Sequence, residues 1–212
     1  MKIKRYNNLK IDNNPEAFFM AATSAFAKSG YRRTTMNDVA EAADMSRPAL
    51  YQVFKNKEDV FCSVVSYLIN NAVEMAIKTL SQSGSIDERI LAAMLEFEEI
   101  HWGPIAKSQY ALEIMHSTVK LEKAIGVIKL GRKQLRAALS KSLQEAVRNG
   151  EVTFVDVRIQ PSSFVTILMS ILAAKKYQDT ASPNYIEIPL SKFRRRNSKI
   201  IKIFLQSIIV RS

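Results

Sequence analysis

Along most of the chain the apolar residues return at spacings of three and four rather than alternating, and Gly and Pro number only 6 each. That pattern predicts helices nearly throughout, an all-α fold class. From Pro15 to Ser29, Phe18, Ala22 and Phe26 share one stripe, and Gly30 follows where a left-handed terminating residue is wanted. Thr35-Met36-Asn37-Asp38 has the form of a capping box and opens a short helix from Met36 to about Ala43. Ser46 is placed to cap another short helix, with Pro48 in its first turn, that reaches about Phe54. Asn56-Lys57-Glu58-Asp59 then caps a longer helix carrying Val60, Val64, Leu68, Ala72, Met75 and Leu80, which stops at the polar loop Ser81 to Ser85.

Beyond that loop, helical patterns are expected at 86–100, 105–115, 118–149, 161–177 and 190–210. Breaks are expected at Trp102-Gly103-Pro104, at Asn149-Gly150 and over 179–189. Residues 152–157 alternate weakly, but a lone strand would lack a partner, so they read as a loop. No internal repeat is visible.

The two short helices are separated by Ala43-Asp44-Met45 and follow a helix able to brace them, the dimensions of a helix-turn-helix. Its turn needs a residue tolerant of positive φ, and Asp44 is among the few non-glycine types that accept one. Leu50 and Phe54, with Val39, Ala40 and Ala43, would meet Phe18, Ala22 and Phe26 in a small core. Arg47, Ala49, Tyr51 and Gln52 are left on the opposite face.

The segment TTMNDVAEAADMSRPALYQVFKNKEDVF, with Leu50, Tyr51, Phe54 and Lys57 in a Leu-Tyr-x-x-Phe-x-x-Lys pattern, resembles the DNA-binding region of TetR-type transcriptional regulators. The resemblance spans Pro15 to Phe61. It implies that Arg47, Pro48, Ala49 and Gln52 reach base edges in the major groove. Arg suits guanine, Gln suits adenine, and Ala49 suits a thymine methyl. It also implies that Thr35, Met36, Asn37, Tyr51, Lys55 and Lys57 approach the phosphate backbone, where the start of the fourth helix adds N–H groups. Asp44, where a Gly is common, and Asn37, where a basic residue is common, depart from the family pattern.

The same resemblance implies a division into a flexible basic arm (1–14), a helix-turn-helix domain (15–61) and a helical ligand-binding and dimerisation domain (62–212). The arm reads first as a disordered tail, with contact of Lys4 and Arg5 to DNA phosphates or a minor groove as the sharper alternative. By the same analogy the last two helices form a four-helix interface in a homodimer. Phe164, Ile167, Leu168, Ile171 and Leu172 stripe the penultimate helix, and Phe193, Ile200, Ile201, Phe204 and Ile208 the last. Two heads would then address a palindromic double-stranded operator with half-sites about 34 Å apart. The middle helices would enclose a small-molecule effector, with Met94, Phe97, Trp102, Tyr110 and Met115 as candidate lining, although such residues at helical spacing also build plain cores. The implied function is a ligand-responsive repressor. The rival is a DNA-binding accessory or architectural protein with no small-molecule ligand.

Composition narrows this further. With 212 residues, 47% of them hydrophobic, the chain can bury a sizeable core, which excludes a disordered protein. Cys62, the single cysteine, cannot form an internal disulfide and reads as a buried inert thiol. The first residues, MKIKRYNNLKIDNN, have no apolar core for secretion, and the longest nearly apolar run, 164–174, is shorter than the roughly 20 residues of a bilayer span. A cytoplasmic protein without a membrane helix is expected. His101 and His116 have no metal-ligand partners at suitable spacing, so neither metal nor cofactor is expected. Glu96, Glu98 and Glu99 read as a solvated face, and no nucleophile lies beside a base, so no enzyme is expected.

The formal charge of +11 suggests an anionic partner, yet its distribution redirects that inference. Residues 1–60 hold 10 basic and 7 acidic side chains, 61–118 hold 3 and 7, and 119–212 hold 18 and 6. The excess sits in Lys120 to Arg148 and around Lys192 to Arg196, away from the DNA-reading motif. It reads as a solvated face, with an anion site of its own as the sharper alternative.

Overall fold

The computed structural model describes the backbone of residues 14–156, 158–181 and 190–211, and the side chains of 14–156, 158–171, 195 and 197–206. The arm with Lys4 and Arg5, the side chains of Leu172, Phe193, Arg194, Arg196 and Ile208, and the 182–189 segment lie outside the described residues. Helices follow in the order α1 (Pro15–Arg33), α2 (Met36–Ala42), α3 (Arg47–Val53), α4 (Lys57–Leu80), α5 (Ile86–Ala106), α6 (Ala111–Lys120) and α7 (Glu122–Arg148). The strand β1 (Val152–Phe154), helices α8 (Pro161–Ala181) and α9 (Leu190–Ile208), and β2 (Ile209–Arg211) complete the chain. The fold is all-α apart from this short strand pair.

Local chemistry sets the early boundaries. The Asn14 side chain accepts the Ala17 N–H at 3.1 Å, and Pro15 supplies a first-turn residue that needs no donor. Gly30, at φ 77°, ends the regular part of α1, and the chain makes one more turn to Arg33. Thr35 and Asp38 form the expected capping box: the Asp38 N–H reaches the Thr35 hydroxyl at 3.2 Å, and the Thr35 N–H reaches the Asp38 carboxylate at 2.8 Å. Ser46 caps α3 through the Ala49 N–H at 3.3 Å, and Asn56 caps α4 through the Asp59 N–H at 2.9 Å.

The chain divides into two compact units, one of residues up to 71 with 101–129, the other of 72–100 with residues from 130 onward. In the first, Phe18, Ala22, Phe26, Val39, Ala40, Leu50 and Phe54 are buried, as the stripe predicts. Phe18 stacks on Phe54 with ring centroids 5.3 Å apart, and Phe26 meets Phe61 edge-on at 5.0 Å. Full burial of an aromatic side chain contributes on the order of 2 kcal/mol, so this cluster is what holds the short α2 and α3 in place. Cys62 is fully buried, and burial pushes its thiol pKa up, which suppresses the reactive thiolate.

In the second unit, Phe164 stacks with Phe204 at 4.9 Å, and Phe154 of β1 lies 5.6 Å from Phe164. Glu151 accepts the Ile86 N–H at 2.6 Å and pairs with Arg89 at 3.1 Å, fastening the start of α5 to the end of the α7 turn.

Several expectations need correction. α5 runs through Gly103-Pro104 instead of breaking there, because Ile105 and Ala106 just beyond it are buried and tertiary packing outweighs one lost backbone bond. The next helix begins at Ala111, and α7 begins at Glu122. Residues 152–154 are a strand after all, since they find an antiparallel partner at the far end of the chain, Val152 opposite Arg211 and Phe154 opposite Ile209. α9 therefore stops at Ile208. Glu96, Glu98 and Glu99 are half-buried rather than solvated, and Glu96 accepts from the Thr79 hydroxyl. Among the described residues, α4 is long and apolar enough to cross a membrane, but most of that stretch is buried inside the protein, as in a core helix.

Candidate nucleic-acid interface

The geometry of the candidate site starts at the turn between α2 and α3. Asp44 has φ 52°, the one positive-φ non-glycine among the described residues. The Met45 N–H bonds to the Ala40 carbonyl at 2.9 Å and the Asp44 N–H to the Glu41 carbonyl at 3.2 Å. This is a Schellman arrangement with Asp44 at its left-handed position. It closes α2 without glycine and redirects the chain into α3.

With Leu50 fully buried, Arg47, Pro48, Tyr51 and Gln52 of α3 are left exposed, Tyr51 to 45%, and Ala49 is half-buried. The Arg47 guanidinium lies 5.7 Å from the Tyr51 ring centroid, one helical turn along the same face. Thr35, Asn37 and Lys55 are exposed as well. Arg47 and Gln52 provide a fork of donors and an amide on the exposed part of α3, which is the chemistry that reads purine edges.

Two of the expected phosphate-contact residues are placed differently. Met36 is only 7% exposed, because the first residue of α2 turns inward onto the head core. It can offer an anion its backbone N–H but not its side chain. Lys57 is half-buried, and its ammonium donates to the Arg32 carbonyl at 2.9 Å and stands 4.9 Å from the Tyr31 ring centroid. It ties α4 to the end of α1. Nearby, burial would raise the Asp59 pKa, but the Lys123 ammonium at 2.8 Å and the Lys55 N–H at 3.4 Å hold it below the usual carboxylate range.

A latch that the sequence did not reveal fastens the end of α1 to α6. The Glu113 carboxylate accepts the Arg32 N–H at 2.8 Å, the Arg33 guanidinium lies 4.4 Å over the Tyr110 ring, and the Ser108 hydroxyl donates to the Ala27 carbonyl. A Cβ at Gly30 would collide with the Glu113 carboxylate.

The candidate effector residues fall into both compact units. Met94 and Phe97 are buried in the second, whereas Trp102, Tyr110 and Met115 are half-buried in the first. Tyr110 is already engaged by Arg33, and none of the five borders the cavity between the end of α1 and α6. Of the candidate dimer residues, Phe164, Leu168 and Ile201 are fully buried within one chain. They pack the chain's own core and have no surface left for a partner. Ile171 is 38% exposed, and Ile200 and Phe204 are half-buried. Among the described side chains of these two helices, Ile167 at 52% and Ile203 at 57% are the most open large apolar ones.

Comparison with known proteins agrees with this architecture. The family described as "Bacterial regulatory proteins, tetR family" matches residues 19–64. The chain is 27% identical over 154 residues to the "Uncharacterized HTH-type transcriptional regulator YhgD" of Bacillus subtilis, covering 71% of this chain and 77% of that one. Among solved structures it resembles SmeT, "the repressor of the Stenotrophomonas maltophilia multidrug efflux pump SmeDEF" (TM-score 0.66, 15% identity, 94% of this chain and 92% of that one). It also resembles the transcriptional regulator FadR from Bacillus subtilis "in complex with stearoyl-CoA" (TM-score 0.60, 16% identity, 91% and 98%).

Proposed function

Because the chain belongs to the tetR family of bacterial regulatory proteins, we propose that it represses transcription as a homodimer on a palindromic operator and is released by a small-molecule effector. The observation that carries this reading is the exposed α3 face of Arg47, Pro48, Tyr51 and Gln52 over a buried Leu50, entered through the Asp44 turn. In this reading Arg47, Pro48, Ala49 and Gln52 meet base edges. Thr35, Asn37, Tyr51 and Lys55, with the Met36 N–H and Lys57, position the backbone.

Dimerisation is supported by the apolar side chains that α8 and α9 leave open, Ile167, Ile171 and Ile203, which a partner would cover. Repression and effector control are supported by likeness to SmeT, a named repressor, and to a FadR structure holding a ligand. The effector's apolar contacts in this reading are Trp102, Tyr110 and Met115, which share the first unit, whereas Met94 and Phe97 are buried in the second. A ligand favouring one arrangement shifts the population toward it by no more than its differential affinity for the two.

The test is selection of duplexes from a random pool, followed by fluorescence anisotropy on the enriched sequence across a salt series. A palindrome bound by two protomers, with affinity falling steeply as salt rises, is the expected result. Equal affinity for enriched and scrambled duplexes would overturn sequence-specific regulation and leave the accessory role.

A further inference from the structure

A cavity of about 500 Å³ opens in the first unit between the end of α1 and α6. That size suits a small organic molecule, for which pockets run from roughly 300 to 1,000 Å³. Its wall is mainly apolar, with Tyr31 and Leu121 among the lining residues. Besides the Ser117 hydroxyl, its donors are the Arg32 guanidinium, the Lys120 ammonium and the His116 imidazole, and none of these three has a side-chain hydrogen-bond or ion-pair partner among the described residues. The one carboxylate in the lining, Glu113, is turned to the Arg32 N–H at 2.8 Å and so is already committed to the protein.

An apolar wall rimmed by two unpaired cations and an imidazole selects for one kind of ligand. Its body must be apolar to fill the wall, and it must carry an acidic group to satisfy the rim. A fully hydrated inorganic anion gains nothing from Tyr31 and Leu121, and a neutral apolar molecule gains nothing from the Arg32, His116 and Lys120 donors, which are exposed and solvated in its absence. We infer that the cavity between α1 and α6 is a binding site for a small acidic amphiphile, with Arg32 and Lys120 holding its carboxylate or phosphate and Tyr31 and Leu121 its apolar body.

The site is separate from the effector contacts proposed above. It can be tested on the free full-length protein without DNA, so its failure leaves the operator reading standing.

The chain has two histidines, His101 and His116, which makes imidazole NMR a local probe. His116→Gln assigns the signals. Titration with phenyl phosphate and with benzoate is expected to shift the His116 signal saturably and leave His101 in place. Inorganic phosphate and benzyl alcohol are expected to bind at least tenfold more weakly than the matched acid. The response to the two acids separates a phosphate from a carboxylate headgroup. Arg32→Ala with Lys120→Ala removes the head contacts, and Leu121→Trp fills the wall while keeping both cations. Each is expected to weaken binding at least tenfold, with helical circular dichroism unchanged.

An unmoved His116, inorganic phosphate as effective as phenyl phosphate, or undiminished binding in the Leu121→Trp variant would overturn the site. If the double variant loses operator affinity evenly over sequences while wild type ignores phenyl phosphate, Arg32 and Lys120 are DNA-backbone contacts and the inference fails.

Discussion

The Lys57 ammonium donates to the Arg32 carbonyl at 2.9 Å, so the first turn of α4 is clasped to the last turn of α1. A lysine in this position serves the head before any phosphate arrives. Lys57→Ala is therefore expected to lower stability by about 1 kcal/mol, the net value of an ordinary hydrogen bond. It should also weaken operator binding evenly across sequences and reduce the salt slope by about 1. Urea denaturation and a salt series of binding isotherms check both. Unchanged stability with reduced affinity would show that the clasp contributes nothing and that Lys57 acts on DNA alone.

The α3 face makes a different prediction, because its side chains would read bases rather than charge. Arg47→Ala should relax the preference at one base pair in each half-site, at a cost of about 1 to 3 kcal/mol in discrimination. Gln52→Ala should do the same at a neighbouring position. Competition binding against every single-base variant of the selected operator measures this. A uniform loss over all variants would place both residues on phosphates.

Gly30 combines a positive φ of 77° with a Glu113 carboxylate where a Cβ would sit. With ψ at 161° the residue lies in a region that is essentially glycine-only, so Gly30→Ala should cost about 1 to 3 kcal/mol from the backbone alone, and more from the displaced carboxylate. Adding Glu113→Ala should recover only the second part, because the backbone strain persists. A double-mutant cycle by denaturation isolates that coupling. Strictly additive effects would show that the two residues do not interact.

The parts of this molecule that were legible in its sequence are those decided within one or two turns. Asp44 at positive φ, the Thr35 and Asp38 box, and the Ser46 and Asn56 caps depend on near neighbours, and each is found as expected. The outward face of α3 was legible for a related reason, since the buried positions of Phe18, Leu50 and Phe54 leave it no other orientation. What escaped depends on distant partners. Glu113 meets Arg32 across 81 residues, and β1 finds β2 only at the chain's end. Pro104 signals a break that burial of its neighbours overrides. Met36 and Lys57 show the same limit within the site, because a family position does not reveal that a side chain is already occupied by its own fold.

The capping box of α2 carries a pH signature. The Asp38 carboxylate takes the Thr35 N–H at 2.8 Å and the Thr35 hydroxyl at 2.9 Å, and these bonds, backbone first, hold its pKa below the usual aspartate value. A carboxylate whose pKa is lowered on folding binds fewer protons folded than unfolded, so its contribution is complete above about pH 4 and is lost as pH falls through the folded value. Asp38 is exposed, which places its effect at the lower end of capping energies, about 0.5 to 1 kcal/mol. Asp38→Asn should be less stable than wild type by that amount near neutral pH, and the gap should narrow as pH falls below the usual aspartate range. Urea midpoints of both proteins from pH 7 to pH 3 test the sign as well as the size. Asp59 titrates in the same direction in both proteins and so cancels from the difference. A gap that stays constant across the range would mean that the Asp38 charge does not support the start of α2.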